Sequence, residues 1–109
     1  MSAAPPPELD GRQRRHLRAL AHNHKPIVQV GNQGLTPGVI GAVDQALTRH
    51  ELVKVRVDAD APTALDEAGA ELARATGAAL AQTIGRMVLL YRPHPEEPRI
   101  VLPRSGEKA

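Results

Sequence analysis

Residues 31–34 read Gly-Asn-Gln-Gly, and Leu35, Thr36 and Pro37 follow at once. Two glycines three apart permit positive φ angles and remove side chains that would hold a ligand away from the backbone. Thr36 is a good helix N-cap, and Pro37 suits the first helical position, where its missing N–H costs nothing. A helix starting there presents unpaired N–H groups and the positive end of its dipole. An anion is stabilised at such a place, a phosphate above all. The spacing is neither G-x-G-x-x-G nor a P-loop with Gly-Lys-Ser/Thr, so mononucleotide and dinucleotide binding are disfavoured. A sugar-phosphate backbone fits, as in the G-x-x-G loop of KH domains. Alone, the motif equally describes an ordinary turn.

Charge adds to that reading. The chain has 109 residues and a formal net charge of +2. Residues 1–56 hold eight Lys/Arg against four acids, and residues 57–109 hold six against eight. Arg12, Arg14, Arg15, Arg18, Lys25, Lys54 and Arg56 lie in the basic half, with His16, His22, His24 and His50. This asymmetry hints at a nucleic-acid partner. A solvated basic helix with no partner accounts for the charge as well.

Other chemistries find little support. There is no cysteine, which removes disulfides, thiolate metal sites and cysteine catalysis. His22 and His24 are two apart, and His16 and His50 invite a metal reading, but no carboxylate set accompanies them. The acids gather on one predicted helix away from most histidines, and the only serines are Ser2 and Ser105. No nucleophile, base and orienter occur in recognisable order, so the chain reads as a non-enzyme. Tyr91 is the single aromatic residue. It cannot build a stacking platform, so recognition rests on phosphates and shape.

The elements that must position these residues follow from pattern. Asp10 caps a helix near 11–22, with Leu17, Leu20 and Ala21 apolar and Arg14 and Arg18 one turn apart on another side. Ile27–Val30 is a short buried strand, and the Thr36–Pro37 helix runs to about His50 through Val39, Ile40, Val43, Ala46 and Leu47. In the next strand Val53, Val55 and Val57 point one way, and Leu52, Lys54 and Arg56 the other. Asp60 or Thr63 caps a third helix with Leu65, Ala68, Leu72 and Ala75 apolar, and Gly77 stops it. AALAQTI and MVLLYR flank Gly85-Arg86 as a tight hairpin, and residues 99–102 are expected to add a short edge strand. The order is α-β-α-β-α-β-β, with parallel strands across the helical connections and a small mixed four-stranded sheet.

Several segments taken together resemble one family: the basic first helix, KPIVQVGNQGLTPGVI, ALTRHELVKVRV, ATGAALAQTIGRMVLLYRP and IVLP. They look like the CRM domain (chloroplast RNA splicing and ribosome maturation), in particular its stand-alone bacterial YhbY-type form. The resemblance spans roughly residues 9–104. It implies an α/β (α+β) fold, a two-layer sandwich similar to the C-terminal domain of translation initiation factor three. It also implies RNA binding and an association with precursors of the large ribosomal subunit. Carried onto this chain, the family's loop is Gly31, Asn32, Gln33 and Gly34 with Thr36, and its basic strand is Lys54 and Arg56. Many members carry a lysine or arginine inside the loop, whereas Asn32 and Gln33 are neutral. Attraction must then come from Arg12, Arg14, Arg15, Arg18 and Lys25.

The expected organisation is a disordered lead-in over 1–8, one RNA-binding domain over 9–104 and a disordered tail over 105–109. The expected partner is RNA, large-subunit ribosomal RNA or a pre-ribosomal particle, with no cofactor, metal, membrane or small-molecule substrate. A monomer is favoured. Lacking a secretory signal pattern and any run of eighteen apolar residues, the chain is expected to be cytoplasmic. The rival expectation is an adaptor for ribosomal or assembly proteins, suggested by the acidic third helix with Asp66, Glu67 and Glu71.

Overall fold

The computed structural model describes residues 7–103. The expectations for residues 1–6 and 104–109 lie outside the described residues. Helix α1 (Gly11–Ala21) is followed by β1 (Val28–Val30), α2 (Pro37–His50) and β2 (Leu52–Val57). Then come α3 (Leu65–Thr76), β3 (Ala79–Ile84) and β4 (Met87–Tyr91). The sheet order is β1-β2-β4-β3. β1 runs parallel to β2, and β4 is antiparallel to both β2 and β3. The hairpin strand β4 thus inserts between β2 and β3.

Both faces of this sheet are covered, unequally. Val53, Val55 and Val57 of β2 are fully buried with Val43, Ala46 and Leu47 of α2 and Ala68 and Leu72 of α3. On the opposite face Leu17 and Ala21 of α1 pack with Leu52, Ala81, Leu89 and Tyr91. Helix α1 therefore adds a third, partial layer to the expected two. Burying Leu17 completely contributes roughly 1.5–3 kcal/mol and anchors that layer. Leu20, expected on the apolar side, is instead 41% exposed, and buried Gln13 takes part in its place. The Gln13 backbone N–H donates to Asp10 Oδ1, and the Gln13 Nε2 donates to the Pro103 carbonyl at 2.9 Å. Asp10-x-x-Gln13 is a capping box, as the spacing permits.

Two further expectations need correction. α3 begins at Leu65 with Ala64 as N-cap and no side-chain cap bond. Asp60 and Thr63 fall too early, and the first-turn acids Asp66 and Glu67 compensate the dipole instead. At its other end Thr76 rather than Ala75 is buried, its hydroxyl donating to the Leu72 carbonyl at 2.7 Å. Gly77 does end the helix, in the left-handed region at φ 71°.

Residues 99–102 form no strand, and the amides of Arg99 and Ile100 are taken by a side chain instead. Glu51 is 3% exposed and sits at φ 64° in the link between α2 and β2. Its carboxylate accepts the N–H groups of His94 at 2.7 Å, Arg99 at 3.0 Å and Ile100 at 2.9 Å. Those bonds, with the Arg99 charge, hold its pKa below the ordinary value, against burial, which alone would raise it. Ile100 and Leu102 are thereby laid against the α1 side of the core. Arg92 makes a comparable stitch, donating to Asp44 Oδ1, the Thr48 hydroxyl and the Thr76 carbonyl, and so ties α2 to α3.

Candidate nucleic-acid interface

The glycine loop links the end of β1 to the start of α2. It closes as a tight turn, the Gly34 N–H donating to the Gly31 carbonyl at 3.0 Å. The Thr36 N–H donates to the Gly34 carbonyl at 3.1 Å, and the Thr36 hydroxyl caps α2 by accepting the Val39 N–H at 3.1 Å. The amides of Asn32, Gln33 and Leu35 make no hydrogen bond among the described residues. Asn32 and Gln33 are exposed.

Gly34 has a structural reason of its own. Its φ is +76°, and a Cβ there would lie 2.9 Å from Pro62 Cγ. Gly38 and Gly41 do not pack against another helix or the sheet. A Cβ at Gly41 would meet nothing within 4 Å, and one at Gly38 only the Thr36 hydroxyl at 3.8 Å. The first turns of α2 are therefore a slim, open surface beside three unpaired amides.

The cations are distributed around, not within, this loop. Leu52 lies under α1, and strand alternation puts Lys54 and Arg56 on that same face of the sheet. β1–β2 pairing brings Gln29 opposite Arg56. Lys54 is half-buried and Arg56 exposed, so the expected positive face of β2 survives only beyond the edge of α1. Arg14, Arg15 and Arg18 are exposed on α1, and Arg12 is half-buried there. Lys25 lies in the segment entering β1, where it lines a groove with Lys54. That groove is at the opposite end of β1 from the glycine loop.

Arg56 is not a free cation. Its Nε donates to Asp58 Oδ1 at 3.2 Å, and the same carboxylate accepts Gln29 Nε2 at 2.8 Å. Asp58 Oδ2 is 3.9 Å from where a Cβ on Gly31 would sit, so an acid stands beside the loop. The sequence signal was present: Asp58 comes two residues after Arg56, just past the end of β2, where the strand's alternation still directs it to the same side. Arg86, which motif reading passes over, lies at this same end of the sheet. Its Nε donates to the Val57 carbonyl and its Nη2 to the Asp58 carbonyl, both at 2.9 Å.

Among the described residues no three His, Cys, Asp or Glu side chains gather where they would hold a metal ion. No described helix is long and apolar enough to cross a membrane.

Comparison with known proteins agrees with this architecture. The CRS1 / YhbY (CRM) domain profile matches residues 9–92. An RNA-binding protein of Haemophilus influenzae is 45% identical over 98 residues, covering 89% of this chain and 97% of its own. A probable RNA-binding protein of Bacillus subtilis, YqeI, is 36% identical over 95 residues, covering 87% and 99%. The solution structure of a hypothetical protein from Staphylococcus aureus superposes with a TM-score of 0.69 at 40% identity, covering 88% of this chain and all of that one. With the profile spanning most of the chain and relatives matched nearly end to end, this protein belongs to the CRS1 / YhbY (CRM) domain family.

Proposed function

We propose that this protein binds structured RNA by its phosphate backbone and acts in maturation of the large ribosomal subunit. The observation that carries the binding reading is the set of unpaired amides at Asn32, Gln33 and Leu35, beside the open N-terminal turns of α2. A phosphate there meets N–H donors and a favourable dipole together. The loop is neutral and has Asp58 close by, so it positions the backbone, while Arg14, Arg15, Arg18, Lys25 and Lys54 supply the attraction. The relatives named as RNA-binding proteins support the partner class. The ribosomal role rests on the family resemblance.

Titration of ribosomal RNA fragments by fluorescence anisotropy tests the binding. Affinity should fall linearly on a log–log plot with salt, with a slope of about −0.7 to −0.9 for each phosphate neutralised. Gln33→Glu should weaken binding about tenfold and Gln33→Lys should strengthen it, because residue 33 is exposed and neither change strains the turn. Flat salt dependence, or equal affinities for both variants, refutes the reading. For the cellular role, crosslinking should recover large-subunit RNA above all other RNA; recovery dominated by another class refutes that part alone. The adaptor alternative draws on the acids of α3, of which Asp66 and Glu67 also serve locally by compensating the dipole at its start.

A further inference from the structure

β1 enters the sheet opposite Val55, three residues into β2, and where the chain approaches β1 past the start of β2 lies an open groove of ≈ 290 Å³ lined by His24, Lys25, Ile27, His50, Leu52 and Lys54. Its base is apolar: Leu52 is buried, whereas Ile27 is 51% exposed. Around that base stand two ammonium groups and two imidazoles, and none of the six lining residues is an acid. The one acid in the adjoining sequence, Glu51, has its carboxylate committed to the backbone of residues 94–100. The groove thus combines an apolar floor with a rim complementary to a polyanion.

We propose that this groove holds a single unpaired RNA nucleotide, its base against Ile27 and Leu52 and its flanking phosphates at Lys25 and Lys54. The proposal rests on the RNA-binding reading and extends it from backbone contact to recognition of an unpaired base. Size favours a single base, since the volume is at the small end for ligand sites. Continuity favours the same RNA that meets the glycine loop. From Ile27 to Gly31 is four residue steps of extended chain, about 13 Å, along the face that carries Gln29, Lys54 and Arg56. The imidazole nitrogens of His24 and His50 offer hydrogen bonds to base edges. A base in a duplex stays stacked on its neighbours and cannot enter, so the groove selects bulged or looped RNA. The floor also does what this chain's composition otherwise prevents. With no Phe or Trp, and Tyr91 buried, an exposed aliphatic side chain, Ile27, takes the place of an aromatic one in this groove.

The test uses the full chain and hairpins sharing one stem, either fully paired or carrying one unpaired A, C, G or U. The parent should prefer at least one bulged RNA. Ile27→Ser should lose about tenfold on that RNA and nothing on the paired stem. Ile27→Tyr should gain fivefold or more on it, because aromatic stacking replaces an aliphatic contact. Thermal melts should show both variants folded, as expected for a half-exposed position. Equal losses on paired and bulged stems, no loss for Ile27→Ser, or no gain for Ile27→Tyr overturns the groove assignment. So does a loss confined to binding of a protein partner. Gln33→Glu separates the two readings. If it weakens RNA binding while both Ile27 variants behave as the parent, only the groove proposal fails; if the parent binds no RNA, both fail.

Discussion

Replacing Glu51 by Gln keeps the size of the side chain and removes its charge, which isolates what the carboxylate contributes. In the folded protein that carboxylate serves three backbone donors, on His94, Arg99 and Ile100, at a site 3% exposed to solvent. A glutamine offers one acceptor oxygen, and its NH₂ faces N–H groups. At least one donor is left unpaired, and the others lose the charge-assisted part of their bonds. Hydrogen bonds to charged groups are worth about 1.5–3 kcal/mol and an orphaned buried donor costs about 1–3 kcal/mol, so the expected loss is about 2–4 kcal/mol. Urea unfolding at pH 7 measures it, and the melting temperature should drop by ~10 °C. The pH dependence gives an independent check. Because the folded-state pKa is lowered from 4.5, the carboxylate's stabilisation is fully present above pH 4.5 and is lost as pH falls through the folded value. The gap between parent and variant should therefore be constant from pH 7 down to about that point and close below it. A parent and variant of equal stability at pH 7, or a gap undiminished near pH 3, refutes the reasoning. Glutamine is preferred to glycine here because residue 51 has a positive φ, which glycine would relax while removing the side chain.

Two other perturbations address the glycine loop directly. Asp58→Asn removes the negative charge beside Gly31 and releases Arg56, so RNA affinity at low salt should rise about three- to tenfold and the salt slope should steepen; weaker binding in the same titration contradicts the assigned electrostatics. Gly34→Ala forces a side chain into the left-handed region against Pro62, and should cost about 1–2 kcal/mol or more in urea unfolding, with no cost arguing that the turn can rearrange freely.

The features legible in the sequence are those that a few adjacent residues determine. Asp10 and Thr36-Pro37 start helices, Gly77 stops one and Gly85-Arg86 turns a hairpin, because each acts on backbone within a turn of itself. The glycine loop was legible for the same reason. What escaped was set by contacts distant in sequence. Nothing local says that β4 inserts between β2 and β3, or that α1 takes the opposite face of the sheet from α2 and α3. Nor does any short window show that Glu51 binds amides 43–49 residues further on, which is why residues 99–102 read as a strand. Among the candidate contact residues, Arg56 has an ion-pair partner that stands close by in the sequence, Asp58. The groove around Ile27 was not foreseen, since its walls come from two chain segments that only the β1–β2 pairing brings together.

β1 pairs through only three residues and lies at the edge of the sheet, joined to β2 alone. Strand edges of that kind open far more readily than the antiparallel centre, exchanging their amide protons through local rather than global unfolding. Yet this strand separates the glycine loop from the groove, so the spacing between the two contacts depends on its least protected pairing. An RNA engaged at both ends acts as a splint across β1. Slowed hydrogen exchange at Val28 and Val30 would then register occupancy of the two ends together, from residues that need not touch the RNA at all.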